Sequence, residues 1–170
     1  QGAFSEIAAE RHQDIIDLNI SGLTAMLRQF LPDMLARGSG KIVNVASIAA
    51  FQPIVGLASY AASKAYVLSL SEALAEECRA QGVTVTALCP GITATNMIAT
   101  AADKNPSLSQ IPDFMIGDAA TVADEAYEAC MQGRVIQVPG VLNLAGTLLA
   151  RATPKWLVRR VVGVLGRKSI

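Results

Sequence analysis

Residues 58–70 read ASYAASKAYVLSL, and in this run of small and aliphatic residues Tyr60 and Lys64 stand four apart. On a helix that spacing puts both side chains on one face, a turn apart. A phenol ordinarily keeps its proton until about pH 10, too high for acid–base work near neutrality. A neighbouring ammonium favours the phenolate and brings such a group within reach of proton exchange with a substrate oxygen. The competing account is a helix whose lysine snorkels and whose tyrosine packs. The pair alone does not decide between them, because YxxxK arises often by chance.

Two further groups bear on the choice. Thirteen residues before Tyr60, Ser47 closes the β-branched run KIVNVAS. A hydroxyl at a strand end is placed to donate to a developing oxyanion, though it serves equally well as a turn cap. The next apolar run, VTVTALC, ends in Pro90-Gly91-Ile92-Thr93-Ala94-Thr95. Ligands of open α/β sheets bind at the carboxyl ends of the strands, where both groups fall.

The surrounding pattern supplies elements to hold these residues. Ile16, Ile20, Leu23, Leu27, Phe30 and Met34 recur at three- and four-residue steps, predicting a long helix from about Glu6 to Arg37, bent at Pro32. Strands follow at KIVNVAS and VTVTALCP, with a helix from about Ser59 to Gln81 between them, closed by Gly82. Residues 92–117 form a long, mildly polar stretch of the kind that makes lids, and its Met97, Ile98, Phe114 and Met115 suit an apolar pocket or a core. Asp118 predicts the cap of a helix over 119–131, then come a strand at Arg134–Val138 and one or two helices over 141–167, interrupted before Pro154. Alternating strands and helices predict an α/β fold with a parallel sheet.

Taken in order, N-x-x-G (Asn19, Gly22), IVNVAS, YAASK and PGITAT resemble the short-chain dehydrogenase/reductase family from about residue 4 to 140. The resemblance implies a Rossmann-type doubly wound sheet, with 1–140 as the catalytic part of one domain and 141–170 as a basic helical extension of it. It implies hydride transfer between a secondary alcohol or carbonyl, its substrate class, and NAD or NADP. Tyr60 would be the acid–base group, Lys64 would favour its phenolate and bind the nicotinamide ribose, and Ser47 would polarise the substrate oxygen. Asn19 would kink its helix and hold a water near Lys64. Pro90, Gly91, Ile92 and Thr95 would face the nicotinamide, Ile92 through backbone and Thr95 through its hydroxyl. Homodimers or homotetramers built on the 6–37 and 59–81 helices are implied as well. The alternative is a non-catalytic scaffold subunit with vestigial site residues.

Other classes fit less well. The chain has 170 residues and zero formal net charge, so its total charge does not invite nucleic acid. Cys78, Cys89 and Cys130 form no CxxC, and the one histidine, His12, reads as a surface helix residue, so no metal site is expected. A reducing, cytoplasmic location is the simpler expectation. There is no GxSxG, and Asn19-Ile-Ser matches a glycosylation sequon that a helix inside the cell would not use. No Gly-rich turn for a pyrophosphate is found, and Gln1 reads as the start of a fragment lacking roughly three βα units of about 30 residues each. The KIVNVAS strand is then expected to lack a neighbour on one side. After Glu128 there is no acidic residue but seven basic ones follow. Leu157, Val161, Val164 and Leu165 make an apolar stripe there, for which the plainest reading is packing on the protein's own domain or on a sister subunit. An interfacial helix with Trp156 near lipid headgroups, giving access to hydrophobic substrates, and a partner-binding helix are the other two readings.

Overall fold

The structure, a computed structural model, describes residues 2–94 and 116–166. Thr95 and the residues of the expected lid, Met97, Ile98, Phe114 and Met115, lie outside the described residues. Among those described, three parallel strands form one sheet in the order β1 (Gly40–Val45), β2 (Val83–Leu88), β3 (Ile136–Gln137). Register runs from Gly40 opposite Val83 to Val45 opposite Leu88, and continues with Ala87 and Leu88 opposite Ile136 and Gln137. The third strand is shorter than Arg134–Val138, but its flanks stay tied to β2 through Ala87 N to Val135 O and Cys89 N to Gln137 O, both 2.7 Å.

The N-terminal helical region is α1 (Ala9–Ile16), a π-helical turn (Asp17–Gly22) and α2 (Leu23–Ala36). It starts later than expected, and it runs through Pro32 without ending there. A departure from regular α-helix comes at 17–22. A Cβ on Gly22 would sit 3.1 Å from the Asp17 carbonyl oxygen, so a side chain at that position would crowd the widened turn.

Helix α3 (Ala58–Cys78) buries Ala61, Ser63, Val67, Leu68, Ser71, Ala75 and Cys78. Small side chains let it lie close to the sheet, where Val67 and Leu68 join Ala46, Ala87 and Cys89 in the core. Asn44 of β1 donates to Ser71 Oγ at 2.9 Å, and Ser71 Oγ donates to Val67 O at 2.7 Å, so this buried polar pair is satisfied. A 3₁₀ turn over Arg79–Gln81 then closes at Gly82, whose φ of 72° only glycine adopts freely. A Cβ at Gly82 would also overlap the Gly38 carbonyl oxygen, in the turn that feeds β1.

Side chains alternate along β1, so residues of opposite parity report opposite faces of the sheet. Asn44 reaches α3, whereas Lys41 Nζ donates to the Cys130 and Met131 carbonyls of α4 (Ala119–Met131) at 3.5 and 3.4 Å. Helices therefore cover both faces, as a doubly wound sheet requires. Asp118 caps α4 by accepting from Thr121 N at 2.8 Å, and those bonds hold its carboxyl below the usual carboxylate range. Beyond β3 the chain forms α5 (Val141–Ala152) and α6 (Lys155–Gly166), separated just before Pro154. The far edge of β1 has no strand partner among the described residues, and Val43 and Val45 are exposed there.

Candidate active site

The site lies at the carboxyl ends of β1 and β2. Those ends are joined directly: Ala46 N donates to Leu88 O at 2.7 Å and Ile48 N to Pro90 O at 3.0 Å. Ser47 sits between these bonds and caps the 3₁₀ turn Ile48–Phe51, its Oγ accepting from Ala49 N at 3.1 Å. The capping role weighed from sequence is thus present. It occupies an acceptor lone pair and leaves the hydroxyl proton available to a substrate oxygen.

Tyr60 and Lys64 project from the first two turns of α3. The lysine Nζ lies 5.8 Å from the Tyr60 ring centroid and donates to the Val45 carbonyl at 2.9 Å. Val45 is two residues before Ser47, so the ammonium is held at the end of β1. Partial burial pushes the Lys64 pKa below its ordinary value. An ammonium has three N–H groups, and the bond to Val45 uses one.

Asn19 lies in the π-helical turn, and its Nδ2 donates to Ser63 Oγ at 3.0 Å. Ser63 Oγ in turn donates to the Tyr60 carbonyl at 2.8 Å. The asparagine is therefore linked through one buried serine to the helical turn that carries the phenol and the ammonium. Sequence reasoning passed over Ser63 as one more small residue. The available signal was a hydroxyl immediately before Lys64, on a face that helical periodicity turns inward.

His12 is also more than a surface residue. It is half-buried and stacks on Phe4 with ring centroids 4.3 Å apart. Its Nε2 lies 3.1 Å from the Phe4 carbonyl and must donate there, so in the neutral ring Nδ1 accepts from Ser59 Oγ at 2.7 Å. That bond ties α1 to the residue preceding Tyr60.

At the end of β2, Pro90 is engaged through its carbonyl by Ile48, as above. Gly91 packs on Asn143 of α5, where a Cβ would fall 2.6–2.8 Å from the asparagine side chain. Asn143 is fixed by donating to Pro139 O at 2.9 Å. The Ile92 carbonyl accepts from Gly117 N at 2.8 Å, so this part of its backbone is already engaged.

Comparison with known proteins identifies the family and the fold. The family model of the short chain dehydrogenases matches residues 1–106, and the chain belongs to that family. It is 34% identical over 127 residues to 2-(R)-hydroxypropyl-CoM dehydrogenase of Xanthobacter autotrophicus, covering 72% of this chain and 51% of that protein. It is 35% identical over 114 residues to acetoacetyl-CoA reductase of Rhizobium meliloti, covering 67% and 47% respectively. The chain thus spans about half the length of the curated relatives it matches. A solved 7beta-hydroxysteroid dehydrogenase superposes with a TM-score of 0.81 at 22% identity, over 95% of this chain and 62% of its own, and so shares the fold. A short-chain dehydrogenase from Sphingobium yanoikuyae, solved in complex with NADPH, superposes with a TM-score of 0.74 at 26% identity, over 91% and 61%.

Proposed function

We propose that this chain carries the acid–base centre of an NAD(P)-dependent oxidoreductase that interconverts a secondary alcohol and a carbonyl. The observation that carries the reading is Lys64, held on the Val45 carbonyl two residues before Ser47 with its Nζ 5.8 Å from the Tyr60 ring centroid. The groups fit one end of the cofactor: an ammonium with N–H groups to spare for ribose hydroxyls, beside a phenol on the rim where strands end. NAD(P), when bound, supplies or accepts the hydride.

The remaining chemistry belongs to the chain. In the reductive direction the Ser47 hydroxyl donates to the carbonyl oxygen, and Tyr60 delivers the proton that the oxygen takes up as it becomes an alcohol. In the oxidative direction the Tyr60 phenolate removes that proton. Lys64 favours the phenolate by its charge. Asn19 and Ser63 hold the helical turn that presents the pair.

The test is a binding and turnover panel on the full-length protein. Reduced cofactor is expected to change its fluorescence on binding and to be consumed with secondary ketones. Binding with no turnover on any ketone or alcohol, or no binding at all, would favour the scaffold reading instead.

A further inference from the structure

The end of α5 and the start of α6 bound a cleft with the 3₁₀ turn Ile48–Phe51 and the first turns of α3. Its volume is about 700 Å³, within the range of small-molecule sites. Helix α5 turns Leu142, Leu148 and Leu149 outward and gives the cleft Ala150 and Arg151. On α3 the wall is Ala58, Ala61, Ala62 and Ala65, which share one face of that helix. Larger side chains there would fill the space, and alanine keeps it open. Phe51 and Trp156 supply aromatic walls. A second cavity, of about 560 Å³, adjoins the first across Pro53, Trp156 and Arg159, which line both.

The charges along these walls have one sign. Among the described residues no Asp or Glu lines either cavity, whereas Arg151 and Arg159 line the first and Arg159 and Arg160 the second. Arg151 lies over the Phe51 ring at 5.7 Å, and its guanidinium is 3.9 Å from Glu72 of α3, beyond hydrogen-bond length. That loose pair leaves the N–H groups of the guanidinium available. Arg159 takes part in no ion pair among the described residues. Guanidinium groups match a carboxylate or another oxyanion, while the alanine and aromatic walls match an apolar body. Because one chain supplies walls on several sides, the space suits a small molecule rather than a protein surface.

We propose that this cleft binds an amphipathic anion, a small molecule whose apolar body lies among Phe51, Trp156 and the alanine face of α3 and whose anionic head pairs with Arg151 and Arg159. Ser47, Tyr60 and Lys64 line neither cavity, so the site is separate from the acid–base centre. The proposal does not depend on the chemistry assigned to those residues, because its test reads binding rather than turnover.

The experiment is calorimetric titration of the full-length protein with decanoate and with decyltrimethylammonium, which carry the same apolar chain and opposite head charges, both kept below their micellar range. Decanoate is expected to bind saturably and the cation not to bind. Arg151→Gln/Arg159→Gln should weaken decanoate by about tenfold or more, the loss of at least one charge-assisted bond. Ala62→Leu/Ala65→Leu fills the cleft with good helix formers and should abolish binding. Circular dichroism melting shows whether each variant folds as the parent does; if the leucine variant does not, the arginine variant decides alone. Absence of saturable decanoate binding overturns the proposal, and so does binding unchanged by the arginine substitutions. Equal binding of the two amphiphiles overturns it by assigning the effect to exposed apolar surface. Displacement of decanoate by NADPH overturns it by giving the anion to the cofactor site.

Discussion

Replacing Ser63 with alanine removes one oxygen that serves two helices. Its Oγ accepts from Asn19 in the π-helical turn and donates to the Tyr60 carbonyl, and the side chain is buried. Each such bond contributes about 1 kcal/mol net, so about 2 kcal/mol is lost. Alanine returns about 0.5 kcal/mol as the better helix former, leaving a cost of about 1.5 kcal/mol. Asn19→Ala breaks only the bond that it shares with Ser63 and gains similarly in propensity, so it costs about 0.5 kcal/mol. The double variant loses that shared bond once. Its cost is therefore expected to fall about 1 kcal/mol below the sum of the single costs. Urea unfolding of the four full-length proteins measures this coupling. Additivity within about 0.3 kcal/mol would refute the idea that Asn19 acts through Ser63.

Other consequences are simpler to test. The lowered pKa of Lys64 means that folding disfavours its charged form. That penalty is fully present below the folded-state pKa and disappears as pH rises from there to the ordinary value of 10.5. The stability of wild type relative to Lys64→Met, measured by denaturant unfolding, should therefore improve with pH across that window and stay flat below it. Cys89 is the opposite case, a thiol pushed up to about 12, mainly by burial. Cys78 and Cys130 are also free and buried, so iodoacetamide at pH 8 should leave all three unmodified in the native protein and label them after denaturation, as read by intact mass. Gly82→Ala combines a positive φ with overlap of the Gly38 carbonyl, and should cost at least about 2 kcal/mol in the same unfolding assay.

How much of this was legible in the sequence depended on whether the signal was local. The cap at Asp118 and the break before Pro154 announce α4, α5 and α6 because side-chain capping and the proline ring act on immediate neighbours. The β-branched run at 40–45 announces β1 for the same kind of reason. The widened turn at 17–22 was hidden, since it keeps the apolar spacing of an ordinary helix. Partners distant in sequence were invisible as well. Nothing near Asn19 points to Ser63, and nothing near His12 points to Ser59. The outward leucines of α5 show a limit of periodicity: it reveals that a helix has an apolar face but not which way the fold turns it.

The central claim is that Tyr60 handles the proton, and Tyr60→Phe tests it most directly because it removes one hydroxyl and little else. In the full-length protein, turnover of a ketone that the wild type reduces should fall by about a hundredfold or more. Cofactor affinity and melting temperature should stay close to those of the wild type. A variant that binds cofactor, folds normally and keeps turnover within about tenfold of the wild type would contradict the account.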